Sequence, residues 1–218
     1  MARPLVTISL FTGFVGCLLA GDAQARDRLS LQAAAAPAIV EASPALAPFQ
    51  HVRFCLRYPA ECRSDPTEKD QVELSDQTSE LLNRVNRSVN TAITPTLKAY
   101  GSNIEDRWTI APTLGDCNDY AVTKRHELVA DGLPARALRL SVVKTASGIG
   151  HLVLVVTTNK GDLVLDNLTD AIRPWQRTSY QWLKIQSAED ARFWYAIAPA
   201  RAGTVASLAD SKLRLASR

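Results

Sequence analysis

The apolar pattern of this chain changes period at one point, and that change limits the folds open to it. Within 68–93 and 116–130 apolar residues recur at helical spacing, with an aperiodic loop at 101–115 between them, and beyond Asp131-Gly132-Leu133-Pro134 they alternate. Residues 68–92 carry Val72, Leu74, Leu81, Leu82, Val85 and Val89, with Ile93 following and Pro95 as the stop, which predicts one long amphipathic helix. A second helix is predicted over 116–130, with Asp116 as N-cap and Asp119 three residues on, an acidic variant of the capping box. Gly132 and Pro134 supply its stop. Strands are predicted at 135–143, 151–158, 163–167, 180–186 and 193–198, with a turn at Asn159-Lys160-Gly161-Asp162. Helices followed by consecutive strands on short turns define an α+β fold, an antiparallel sheet with helices packed on one side.

The chain start reads as an export signal. Arg3 gives the positive end, residues 5–20 form a mostly apolar stretch, and Ala23-Gln24-Ala25 offers a cleavage site after Ala25. The apolar stretch, about 16 residues, is shorter than a bilayer span, which needs roughly 20. A lipoprotein cysteine at Cys17 and an uncleaved anchor are the alternatives. The resulting division is a signal peptide at 1–25, a flexible Ala/Pro-rich lead at 26–48, one domain at 49–200 and a tail at 201–218. The expected location is the periplasm or outside the cell, with membrane contact only through the signal. A net charge of +3 without a dense Lys/Arg block gives no reason for a nucleic-acid partner.

Export decides how the four cysteines are read. Cys17 leaves with the signal. Cys55 and Cys62 flank a Tyr58-Pro59 turn and are expected to form a disulfide, worth about 2–3 kcal/mol in the chain-entropy model. Two thiols or half of a metal site are the other readings. Cys117 is then left over, and catalysis is one explanation for an odd thiol in an exported chain.

A thiol nucleophile has to be ionised near neutral pH, and a helix N-terminus or a nearby imidazolium favours that. Cys117 directly follows the cap residue Asp116. Its base needs a third group to fix the tautomer. His151 opens the apolar strand HLVLVV, and Asp166 lies in VLDN on the next strand. If Thr157 pairs with Asp162, Asp166 falls opposite Val153, which shares a face with His151, and the two side chains are diagonal neighbours. A tighter turn at Lys160-Gly161 keeps the face and lengthens the gap. Singly, each residue has a plainer role, as a small core thiol, a satisfied histidine or a turn aspartate. The three together point to acyl transfer. His126 and His51 read as surface and structural histidines, Trp108 as a cleft or packing residue, and Trp175, Trp182 and Trp194 as core or sheet-covering aromatics.

GDCNDYAVTKRHELVADGLPARALRLSVV, then GHLVLVV and LVLDNLTDAIRPW, resembles the bacterial transglutaminase-like cysteine proteinases, from about Phe49 to Ala198. The resemblance includes FCLRYPAEC and the Trp108 segment. It implies a papain- and transglutaminase-like core and a periplasmic protease, in a family that includes adhesin-processing enzymes. Cys117 would be nucleophile, His151 base and Asp166 orienter, acting on a protein substrate, a cell-envelope or surface protein. No cofactor is required. Calcium, bound by some members beside the nucleophile, would fall to Asp116 and Asp119, but Asn118 stands where many relatives have an acid, and capping is the favoured role for the pair. The rivals are a transglutaminase, in which an amine replaces water, and a silent binding module. A zinc enzyme lacks the ligand cluster.

Overall fold

The computed structural model describes residues 38–96 and 107–198. The signal peptide, the first part of the lead and the tail lie outside the described residues. A seven-stranded antiparallel sheet forms the frame, in the order β1-β9-β8-β4-β5-β6-β7. Its strands are β1 (Glu41–Ala45), β4 (Leu138–Lys144), β5 (Gly150–Thr158), β6 (Gly161–Leu165), β7 (Arg173–Pro174), β8 (Gln181–Gln186) and β9 (Trp194–Ile197). The helices are α1 (Phe49–Arg57), α2 (Asp76–Ala92) and α3 (Cys117–Ala130). Two short parallel strands, β2 (Thr94–Pro95) and β3 (Leu114–Gly115), lead from α2 and into α3. Among the described residues no helix is long and apolar enough to cross a membrane.

Alternation along β5 splits the core. Leu152, Leu154 and Val156 pack with Leu82, Val85 and Val89 of α2 and Leu128 of α3. Val153 and Val155 face the other way, with Ile39, Val164, Trp175 and Ile185. The strand is therefore buried on both sides, which is why HLVLVV reads as a continuous apolar run. Thr157 pairs with Asp162 and Leu154 with Leu165, the register expected from the turn, so the residue after β6 continues toward Val153.

Three sequence expectations are corrected. Residues 68–75 are not helical. Val72 bridges to Thr158 instead, its N–H donating to the Thr157 carbonyl at 2.9 Å. The helix starts after Ser75, whose hydroxyl accepts from the Thr78 N–H at 3.1 Å. A side-chain cap outweighs continuation of the apolar pattern, and Val72 gains more by bridging to the end of β5 than as a helix turn. The second correction concerns the lead, which does not remain flexible up to residue 48. Glu41–Ala45 forms β1 at the sheet edge, where Pro44 is tolerated because only one side of the strand is paired. Ile39 is buried and its N–H donates to the Asp162 carboxylate at 2.6 Å, while Glu41 pairs with Arg139. In the third, the strand predicted from 135 begins at Leu138, after a 3₁₀ turn at Ala135–Ala137.

Cys55 and Cys62 are joined, with an S–S distance of 2.04 Å. His51, Cys55 and Cys62 place their donor atoms within 4.8 Å of one another, but with the sulfurs bonded together no thiolate pair is there to hold a metal. His51 is buried and structural. The Trp194 indole N–H donates to its Nδ1 at 3.2 Å, and the Gln186 amide lies 3.2 Å from its Nε2. Trp108 packs against His51 and Phe54, in the packing role. Burial, and after it the Arg125 guanidinium, lowers the His51 pKa to about 4.

An unfolded histidine takes up its proton near 6.5. Between those two values the unfolded chain binds the proton and the folded one does not, so stability rises with pH across that window. The His51 contribution is complete above about pH 6.5 and lost as pH falls toward 4, on the order of 3 kcal/mol in all. The melting temperature is expected to fall between pH 7 and pH 4.5, and to fall less in His51→Gln.

Candidate active site

The site is built at the start of α3. Asp116 caps the helix, its Oδ1 accepting from the Asn118 N–H at 3.0 Å, and Asp119 Oδ2 accepts from the Asp116 N–H at 3.0 Å. This is the expected capping box, and it sets Cys117 in the first helical turn. Gly115 lets the box close, because a β-carbon there would meet Asp119 Cβ and Oδ2 at 2.9 Å. The Asp119 Oδ1 accepts from the Thr109 N–H at 2.8 Å and so ties down the loop ahead of the helix.

His151 is the second residue of β5, paired with Val143, and the strand end brings it to the first turn of α3. Its Nε2 lies 2.8 Å from Asp166 Oδ1, with both side chains buried. The remaining nitrogen, Nδ1, is the one left for the Cys117 thiol, which is near enough to act on the charge of the ring. Burial alone would lower the imidazole pKa, but hydrogen bonds and charge from Asp166 and Cys117 overcome it and raise the value to about 9. Asp166 sits one residue past β6. Burial works against its charge, but the bond and charge of His151, the Tyr180 hydroxyl and the Leu168 N–H together hold it below the ordinary carboxylate range. The structure thus brings Cys117, His151 and Asp166 together, with Cys117 as the free cysteine among the described residues.

Tyr180 was not legible as part of this group. Its hydroxyl donates to Asp166 Oδ2, and its ring centroid lies 5.7 Å from that of His151. In sequence it is one aromatic opening a short strand, and only the fold brings it under the carboxylate. Burial, and then the Asp166 bond, push its own pKa up, so it serves as a donor. His126 is half exposed and contacts Glu61 Oε1 at 2.6 Å, away from the group, as expected for a surface histidine.

Asp116 and Asp119 also test the calcium expectation. Asp119 is only 1% exposed and each of its oxygens accepts a backbone N–H, while Asp116 Oδ1 is used by the cap. Asn118 adds no charge. The donor set fits capping, and a cation would have to share these oxygens with the cap.

A thiol at a helix N-terminus, with an imidazole held by a buried carboxylate on an antiparallel sheet, is the layout of thiol hydrolases built on papain- and transglutaminase-like cores. The chain belongs to the bacterial transglutaminase-like cysteine proteinase family, whose model matches residues 41–202, and the family's members are cysteine peptidases. Among solved structures, Legionella pneumophila LapG in a calcium-bound form is similar at 22% identity and a TM-score of 0.48, covering 62% of this chain and 80% of that one. The EGTA-treated form of the same protein gives 25% identity and a TM-score of 0.48, covering 63% and 78%. No curated protein matches the chain.

Proposed function

We propose that the protein is an exported endopeptidase that cleaves a protein amide bond through Cys117, His151 and Asp166. The observation that carries this reading is the 2.8 Å bond from His151 Nε2 to Asp166, which leaves the other ring nitrogen to the Cys117 thiol. The thiol proton passes to His151 Nδ1, giving a thiolate and an imidazolium. The sulfur adds to the substrate carbonyl carbon. The Asn118, Asp119 and Tyr120 N–H groups are spent on Asp116, which leaves the Cys117 N–H as the first-turn donor nearest the developing oxyanion. The imidazolium then protonates the departing amine and a thioester remains. His151 next removes a proton from water, and hydroxide attack on the thioester releases the acid and restores the thiol.

An amine in place of water would give transamidation with the same three residues, since the cleft and not the triad chooses the acceptor. Hydrolysis is favoured by membership in a proteinase family. The proposed substrate is a cell-envelope or surface protein, reached by export through the signal at 1–25. The test is incubation with an unstructured protein such as casein and a fluorescent primary amine. New N-termini without fluorescence in the products support the reading, and fluorescence without new N-termini refutes it. Neither EGTA nor millimolar calcium is expected to change the cleavage rate or the melting temperature, because Asp116 and Asp119 are committed to the helix cap. A melting temperature that climbs with calcium would assign a cation to the fold.

A further inference from the structure

One face of α1 is left in solvent. Phe54 and His51 point inward, where Phe54 joins the main core and the His51 ring lies against Trp108 and Trp194. At 3.6 residues per turn, Phe49, Val52 and Leu56 fall within about 60° of one another on the opposite side of the helix. They are 62%, 46% and 80% exposed. Leu46, just ahead of the helix, is exposed as well. A single exposed leucine needs no explanation, but three large apolar side chains in line on one short helix form a patch. The patch is also held in place, because the Cys55–Cys62 disulfide ties down the last turn of α1 and Phe54 anchors it from within. A partner would therefore meet a helix already formed, with little ordering left to be done on binding.

The charges around the patch indicate the partner. Arg53 and Arg57 stand beside the stripe, over about the next 80° of the circumference. The Arg53 guanidinium lies 5.9 Å from the centroid of the Phe49 ring, so cation and apolar stripe adjoin. From β8, Lys184 Nζ donates to the Leu46 carbonyl at 2.7 Å and brings a third cation to the start of the patch. Helix α1 has no acidic residue, and the one acid within 46–63, Glu61, is turned to Arg125 at 3.0 Å and to His126 at 2.6 Å. An apolar stripe edged by cations and without carboxylates suits a surface that is anionic at its face and apolar beneath. A second copy of the chain suits it less, since its own α1 would bring further arginines and no acid to meet them.

We propose that α1 lies on an anionic phospholipid surface, with Phe49, Val52 and Leu56 among the headgroups and Arg53, Arg57 and Lys184 against lipid phosphates. The helix lies along the surface and does not cross it, because its nine residues are far short of a span. The contact is reversible, as expected for a few apolar side chains and three cations. It is additional to the export signal and persists after that signal is removed. It does not depend on the chemistry of Cys117.

The test is co-sedimentation of the mature chain, from residue 26 onward, with vesicles of phosphatidylcholine alone and of phosphatidylcholine mixed with phosphatidylglycerol. Wild type is expected to bind the mixed vesicles about tenfold or more tightly than the neutral ones, since each cation near such a surface contributes about fivefold. Leu56→Ser, and Arg53→Gln combined with Arg57→Gln, are each expected to weaken that binding by about fivefold or more. Both should melt within a few degrees of wild type, because these side chains lie at the surface. Should Leu56→Ser fail to fold, the arginine pair decides. Leu168→Ser removes an exposed apolar side chain beyond β6, on the far side of the sheet from β9, and is expected to bind like wild type. Wild type left in the supernatant with both vesicles overturns the inference, and so does equal binding to the two. Variants of α1 that bind like wild type overturn it too. A dimer in sedimentation velocity that is lost in Leu56→Ser, without vesicle binding, would give the face to a second copy instead.

Discussion

Cys117→Ser is expected to lose at least about a thousandfold in kcat/KM for protein cleavage, the scale seen when a nucleophile is removed from a triad acting as a unit. A serine hydroxyl fits the same place in the first turn of α3, and the capping box holds that turn through Asp116 and Asp119 without the sulfur. The loss therefore comes from chemistry. An alcohol is far harder to ionise than a thiol, and an imidazole tuned to stabilise a thiolate partner does not supply the difference. Cys117 is only half buried, so the melting temperature should stay within a few degrees of wild type. Cleavage assays paired with thermal melts check this. A serine variant with a tenth of the wild-type rate would place the nucleophile elsewhere.

The second large effect belongs to Asp166→Asn. The amide keeps the shape of the carboxylate and can still accept from His151 Nε2, but it carries no charge. The carboxylate is the main reason, with Cys117, that the His151 pKa stands near 9 despite burial. Without it the imidazolium loses its support and the amide can also present an N–H to the ring, so a loss on the order of 10²- to 10⁴-fold in kcat is expected, with the alkaline limb of the rate moved to lower pH. Stability carries a matching signature. A histidine raised from 6.5 to about 9 holds its proton more tightly when folded, so its contribution is complete below about pH 6.5 and lost as pH rises through 9. In Asp166→Asn that alkaline decline should flatten. Tyr180→Phe removes one donor to Asp166 and leaves its charge, so a drop of roughly tenfold or less is expected, with the alkaline limb largely kept. Equal losses in Asp166→Asn and Tyr180→Phe would contradict the division of roles between charge and hydrogen bond.

Local rules made much of this arrangement readable. The cap at Asp116 and the β5–β6 turn follow from residues next to one another, so the start of α3 and the shared face of His151 and Asp166 could be worked out from spacing. What escaped depends on partners distant in sequence. Glu41–Ala45 has neither alternation nor β-branched residues, and becomes a strand because β9 offers an edge and Asp162 an anchor for Ile39. Ser75 caps the helix from inside a longer apolar pattern, and the bridge of Val72 to Thr158 keeps the residues before it out of the helix. Tyr180 looks ordinary in the sequence, as an aromatic before a strand. Its meaning comes from Asp166, 14 residues away.

The most direct test of the central claim is the rate at which iodoacetamide labels Cys117, measured by mass spectrometry of its peptide across pH in wild type and in His151→Ala. The catalytic-group reading predicts a wild-type rate already near its plateau at pH 7. In His151→Ala the rate should be low at pH 7 and climb only toward the range of an ordinary thiol, about 8.5. Slow labelling with the same ordinary profile in both proteins would contradict it, and would leave the fold as a binding module without thiol chemistry.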